Sequence, residues 1–172
     1  MKKSTKKLTV ASMLCALCFV LMLIGSLIEV VDLSAAAIAS FAVIFAVIEL
    51  GGAYPMLIWI CSSIIGFLLL PNKLPAIYFS MFFGWYPIAK NYFERLPSVF
   101  CRVAKLVSII ISVAAMYYIG ESVIGVGEQT ETITPVLIGG TCAVFVIYDI
   151  ALSRMIASYM RVWKYKFKIK IK

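Results

Sequence analysis

The chain has 172 residues, of which 63% are apolar and only 14% are charged, and its mean hydropathy is +1.03. A soluble domain of ~150 residues buries only about 70% of its surface, so it has no interior large enough for that many apolar side chains. The composition therefore predicts an integral membrane protein. It excludes a disordered chain, a secreted disulfide scaffold and a cytosolic enzyme.

Apolar runs long enough to cross a bilayer occur six times along the chain. The predicted spans are residues 8–28, 33–50, 53–70, 74–89, 103–119 and 136–157, followed by a basic tail at 158–172. The fourth span is the shortest, and we expect its helix to continue past Lys90 with a kink near Pro87. The sequence thus predicts an all-α bundle of six transmembrane helices in one domain.

The positions of Lys and Arg predict the topology, because cytoplasmic loops carry an excess of basic residues. With both termini in the cytoplasm, every basic residue except Lys73 falls on the inner side. The net charge is +8. A basic tail tethered at the bilayer meets anionic lipid before any nucleic acid, so we expect membrane lipid and not nucleic acid as its partner.

The beginning of the chain also allows a second interpretation. Four lysines precede an apolar stretch, as in a secretory signal, and Ala35-Ala36-Ala37 resembles a cleavage site. The apolar run at 8–28 is longer than the ~7–15 residues usual for a signal, which favours a retained first span.

Several kinds of chemistry lack their usual residues. The chain has no histidine, which is the commonest general base and metal ligand. It has neither a phosphate-binding glycine loop nor a dinucleotide-binding glycine pattern. The five cysteines lie in or beside apolar spans, where cysteine commonly serves as a small apolar side chain. We therefore expect no enzyme activity, cofactor or metal.

Small residues form a strip on one face of the first predicted helix. They are Ala11, Ser12, Cys15 and Ala16. Such strips let helix backbones approach closely in lipid, where no hydrophobic force drives helices together. The strip predicts either a docking site for a helix of another subunit or ordinary packing inside the bundle.

Charged residues gather after the fourth span. They are Lys90, Glu94, Arg95, Arg102 and Lys105. Lys90 and Glu94 are one helical turn apart and can form an ion pair. The cluster predicts either a contact surface for a partner or the ordinary basic edge of a membrane protein.

Polar and amphipathic side chains could form a small-molecule site between helices at the outer mouth of the bundle. The candidates are Trp59, Asn72, Lys73, Tyr78 and Trp85. Asp149 is a further candidate because an ionisable group within a span usually marks function or an internal ion pair. Its spacing from Arg154 favours a partner on another helix, such as Lys90 or Arg102.

Three segments carry a resemblance to a known family. They are L-I-G-S-L-I-E at 23–29, L-L-P-N-K-L-P-A at 69–76 and F-F-G-W-Y-P-I-A-K at 82–90. Together with the six predicted spans and the small-residue strip, they resemble the substrate-binding (S) component of energy-coupling factor transporters. They are most similar to uncharacterised bacterial membrane proteins grouped with that family.

The resemblance implies uptake of a vitamin or vitamin precursor across the cell membrane. A separate coupling subunit and two ATPases would supply the energy, and Ala11, Cys15 and Ala16 would face the coupling subunit. The family favours alanine where this chain has Ser12 and Cys15. The alternatives are a membrane scaffold or accessory subunit and, more remotely, an intramembrane enzyme using Asp149 and Glu49.

Overall fold

A computed structural model describes residues 2–93, positions 103, 105, 107, 108, 110–112 and 114, and residues 134–159 and 161. All regular secondary structure in these residues is helical, which confirms the predicted all-α class for this part of the chain. The helices are α1 (Lys2–Leu27), α2 (Asp32–Glu49), α3 (Tyr54–Leu69), α4 (Leu74–Tyr78), α5 (Tyr86–Phe93) and α6 (Thr134–Ser158), with a 3-10 turn at Glu29–Val31 and a π-helical turn at Phe79–Phe83.

The helix bounds follow the apolar runs closely. α2, α3 and α6 begin and end within two residues of the predicted spans, whereas α1 begins at Lys2 and so includes the lysines before the apolar run. The described positions between 103 and 114 are helical, as predicted. Positions 115–119 of the predicted fifth span and most of the tail lie outside the described residues.

Two of the described helices, Thr5–Leu27 and Asp32–Glu49, are long and apolar enough to cross a membrane, with mean hydropathies of 2.5 and 1.9. α3 is apolar but has 16 residues, which is about 24 Å of helix. The hydrocarbon core of a bilayer is ~30 Å thick. Helix length and composition therefore identify two candidate membrane spans among the described helices.

Small residues on α2 let α1 pack closely against it. Ala36, Ala39 and Ala46 are fully buried along one face of α2. Near the other end of the α1–α2 contact, a Cβ added to Gly25 would come within 2.6 Å of the Ala35 Cβ. The Cys18 thiol donates to the Ala39 carbonyl at 3.4 Å. These close contacts make α1 and α2 the framework on which the other helices pack.

The fourth predicted span is interrupted, and the break lies at Gly84 rather than at Pro87. The Gly84 N–H donates to the Phe79 carbonyl at 2.7 Å, which closes the π-helical turn. Gly84 and Trp85 form a turn before α5 begins. Pro87 causes no kink because it lies in the first turn of α5, where proline has no intrahelical hydrogen bond to lose.

An aromatic cluster joins the π-helical turn to α6. Its rings belong to Phe82, Phe83, Tyr86, Phe145 and Tyr148, with centroid separations from 4.5 to 6.0 Å. The buried Tyr148 hydroxyl lies 2.6 Å from the Ser40 Oγ of α2. α6 is therefore held against both α2 and the π-helical turn.

Candidate functional site

A charged cluster at the Lys90 end of α5 centres on Asp149 of α6. Lys90 Nζ donates to Asp149 Oδ1 at 2.6 Å, and Lys105 Nζ donates to Asp149 Oδ2 at 2.9 Å. The Tyr86 hydroxyl donates to the same Oδ1 at 2.7 Å. The expected interhelical partner of Asp149 is thus confirmed as Lys90. We call these four residues the Asp149 cluster.

Lys90 is the most deeply placed charged residue of the cluster, with a side chain only 1% exposed. Besides the carboxylate, its ammonium group donates to the Asp149 carbonyl at 3.0 Å and to Ser153 Oγ at 2.6 Å. These bonds use all three donors of the ammonium group. Lys90 therefore fastens α5 to α6 and is too buried to form part of a contact surface.

Of the other residues in the predicted charged cluster, only Lys105 is among the described residues. Lys105 is 23% exposed and joins the Asp149 cluster. Glu94, Arg95 and Arg102 lie outside the described residues, and so does the predicted pair of Lys90 with Glu94. Two ammonium groups share one carboxylate in the cluster.

A hydrogen-bond network fixes the loop before α4. This loop and Lys90 lie at opposite ends of the segment that contains α4, the π-helical turn and α5. Asn72 Nδ2 donates to Asp32 Oδ2 at 2.9 Å, and the Asn72 N–H donates to Ser26 Oγ at 2.9 Å. The Leu74 N–H donates to Asn72 Oδ1 at 3.0 Å. Lys73 Nζ donates to the Leu70 carbonyl at 2.6 Å. Asn72 thus connects the ends of α1, α2 and α4.

The two candidate tryptophans lie between these ends. Trp59 Nε1 donates to the Ser80 carbonyl at 3.2 Å, and its ring covers Gly84. Trp85 Nε1 donates to the Met81 carbonyl at 2.6 Å. Both indole N–H groups are therefore bonded within the protein. Trp59 joins α3 to the π-helical turn, whereas the Trp85 bond lies within one segment.

The predicted ligand residues consequently do not form one site. Asn72, Lys73 and Tyr78 lie at one end of the α4–α5 segment, and Asp149 contacts the other end through Lys90. A helical segment from Lys73 to Lys90 is roughly 25 Å long. Asp149 is thus separated from Asn72, Lys73 and Tyr78, whereas Trp85 directly precedes its partner Tyr86.

Sequence reasoning missed three polar partners. Tyr86 and Ser153 lie four residues from Lys90 and Asp149, and helical spacing of four would have found both. Ser26 carries no such signal, because its partner Asn72 is distant in the chain and meets it only after α1 and the loop before α4 have packed.

An open apolar groove runs between α1 and α3, and the small-residue strip forms part of its wall. The groove has a volume of about 550 Å³. Its lining residues are Leu8, Ala11, Ser12, Cys15, Ala16 and Phe19 from α1, and Tyr54, Leu57, Ile58, Cys61, Ile65 and Leu69 from α3. We call it the α1–α3 groove.

The strip contributes to the groove at different depths. Ala11 is buried and Cys15 is half-buried, whereas Ser12 and Ala16 are exposed. The Ser62 hydroxyl of α3 donates to Cys15 Sγ at 3.3 Å across the floor. Part of the strip thus packs against α3, as one interpretation expected, and part of it remains open, as docking would require.

Glu49, at the end of α2, contacts the end of α6. The Tyr159 hydroxyl donates to Glu49 Oε1 at 2.8 Å. Partial burial and the neighbouring carboxylate raise the pKa of Tyr159 to about 12. Within the described part of the chain, no three His, Cys, Asp or Glu side chains come together to hold a metal ion.

Comparisons of the chain with protein-family models, with characterised proteins and with solved structures found no match. The fold and its sites therefore define the class: an all-helical protein with two helices long and apolar enough to cross a membrane.

Proposed function

We propose that this protein is the substrate-binding membrane subunit of an energy-coupling-factor-type transporter for a micronutrient. It spans the cell membrane six times with both termini in the cytoplasm. A separate coupling subunit and ATPases supply the energy, since the sequence contains no phosphate-binding loop.

The exposed apolar surface supports the placement in a membrane. Met13 on α1, Leu68 on α3 and Ile147 on α6 are each more than 65% exposed. Many other large apolar side chains on these helices are at least half exposed. Soluble monomers rarely expose apolar patches larger than a few hundred Å², whereas hydrocarbon solvates such side chains.

One observation carries the docking part of the proposal. The α1–α3 groove leaves Ser12 and Ala16 exposed beside apolar walls, so a helix from another subunit has room to approach the α1 backbone. Close backbone contact of this kind is what stabilises helix pairs in lipid.

We place the ligand at the Asn72 end of the bundle, which the predicted topology puts outside. Asp32, Asn72, Lys73 and Tyr78 supply charged and hydrogen-bonding groups there, and apolar helices surround them. The Asp149 cluster is too distant to contribute and has a structural role in this proposal.

Replacing Ala16 with Trp tests docking more cleanly than replacing the buried Ala11. We expect A16W to lose the coupling subunit and ATPases during affinity purification from the native cells, because the indole fills the groove. The matched control is A151W, at an exposed alanine on α6. Retention of the whole complex by A16W would contradict the docking proposal.

Native mass spectrometry of the gently solubilised wild-type protein tests the function as a whole. We expect a bound small molecule, together with a coupling subunit and ATPases. A stable partner that is not a transporter module, without any small molecule, would instead indicate the scaffold or accessory subunit.

A further inference from the structure

The α1–α3 groove is long enough to hold an extended acyl chain. Its α1 wall runs from Leu8 to Phe19, which is roughly 17 Å of helix. Half of the ~30 Å hydrocarbon core is about 15 Å. The α3 wall runs from Tyr54 to Leu69, which is roughly 22 Å. Both walls are longer than one leaflet is thick, so an extended acyl chain fits along the groove.

The surface around the groove indicates that it opens to hydrocarbon rather than water. Met13 and Leu17 on α1, and Leu57 and Leu68 on α3, are between 49% and 73% exposed. A soluble ligand would have to cross this apolar surface, whereas a lipid chain is already there.

Lysines lie near both ends of the groove in the described part of the chain: Lys6 and Lys7 at the Leu8 end, and Lys73, whose Nζ donates to the Leu70 carbonyl at 2.6 Å, beyond the Leu69 end. Lys7 is one helical turn before Ala11, and its Nζ donates to the Leu50 carbonyl at 3.4 Å. Lys6 beside it is exposed, and the amphipathic side chain of Tyr54 lines the same end. The carboxylate of Glu49 next to Leu50 accepts a hydrogen bond from Tyr159. The other end is formed by Phe19 and Leu69.

We propose that the α1–α3 groove binds one acyl chain of an anionic phospholipid of the inner leaflet, with the lipid phosphate held by Lys7. The lipid occupies the groove in the free subunit, and a docking helix displaces it. The inference rests on the membrane placement and topology of the proposed function, but not on the coupling subunit.

Lipid titration of the delipidated full-length protein, followed by native mass spectrometry, tests this inference. The probes are phosphatidylglycerol and phosphatidylcholine with identical chains. We expect phosphatidylglycerol to bind several-fold more tightly. K7Q should weaken phosphatidylglycerol by about fivefold, which corresponds to the ~1 kcal/mol of one lysine near a lipid surface. It should weaken phosphatidylcholine less, because the choline group already compensates the charge of its phosphate.

A side chain that fills the groove should weaken binding of the acyl chain, which is the same in both lipids. We expect A16W to weaken both lipids. R161Q, which removes an exposed cation near the end of α6, and A151W are the matched controls and should change neither lipid. Thermal unfolding of A16W in detergent checks that the variant is folded, and K7Q tests the headgroup without altering the groove.

Three results would overturn the inference: equal binding of the two lipids, an effect of R161Q as large as that of K7Q, or a second protein copy in place of lipid. These experiments use the isolated chain, so they remain informative if no coupling subunit is found. Loss of docking in A16W without any loss of lipid would support the docking proposal and count against the lipid inference.

Discussion

Asp149 shows how a charged side chain can be accommodated within a largely apolar helix. Its carboxylate accepts from Lys90, Lys105 and Tyr86, so both oxygens have charged donors. Removing one partner of a buried ion pair leaves the other charge without compensation, which costs more than the pair itself contributes. The members of the cluster should therefore differ sharply in their effect on stability.

The change D149N should lower the free energy of unfolding by about 3–5 kcal/mol, because it removes the carboxylate that the buried Lys90 ammonium contacts at 2.6 Å. K105Q should lower it by about 1 kcal/mol or less, since Lys105 is partly exposed and Asp149 keeps Lys90. Thermal unfolding in one detergent measures both variants.

The double variant K90M/D149L removes both charges of the buried ion pair, so it is the control for a loss of stability caused by leaving one charge behind. Apolar residues of similar volume often replace a buried ion pair without loss, so the double variant should be more stable than D149N. Equal destabilisation by D149N and K105Q would mean that the burial of Lys90 does not govern the stability of the cluster.

Among the helices, the interrupted α4–α5 segment depends on one glycine. A Cβ added to Gly84 would overlap the Trp59 ring and would lie 2.9 Å from the Phe79 carbonyl oxygen. That oxygen accepts the hydrogen bond that closes the π-helical turn. Glycine is required here because Trp59 approaches the backbone directly.

We expect G84A to destabilise the protein by about 1–3 kcal/mol through overpacking against Trp59. Gly140 provides a matched control, since it is exposed on α6 and no described atom lies within 4 Å of an added Cβ. G140A should stabilise by about 0.5–1 kcal/mol because alanine favours helix. The readout is the thermal unfolding midpoint, and equal midpoints for the two variants would contradict the role assigned to Trp59.

Across the described part of the molecule, three groups of internal contacts join the helices at different positions along the bundle. Asn72 connects α1, α2 and α4 at one end, the aromatic cluster joins the π-helical turn to α6, and the Asp149 cluster fastens α5 to α6 at the other end. In the described part of the chain, polar bonds and aromatic rings thus lie inside the bundle, while many other large apolar side chains face outward. This arrangement suits a protein surrounded by lipid.

The six-span topology predicts that both termini lie in the cytoplasm. Reporter fusions at each terminus and within the loop at 120–135 test it in intact cells, because green fluorescent protein and alkaline phosphatase are active on opposite sides of the membrane. We expect cytoplasmic signals at both termini and an external signal in the loop. Opposite locations for the two termini would overturn the topology.

The sequence by itself determined the helical class and most helix bounds. Apolar runs specify helices locally, since a chain without water must satisfy its backbone hydrogen bonds within each helix. α2, α3 and α6 therefore appear within two residues of their predicted positions. The ion pair of Asp149 with Lys90 was also accessible, because a charge within an apolar span requires a partner.

Only the tertiary structure decided which candidates meet. It separated Asp149 from Asn72, moved the break in the fourth span from Pro87 to Gly84, and placed the small-residue strip along a groove that is partly open. These features depend on which helices become neighbours. Contacts between residues distant in the chain leave no periodic signal in the sequence, so packing alone determines them.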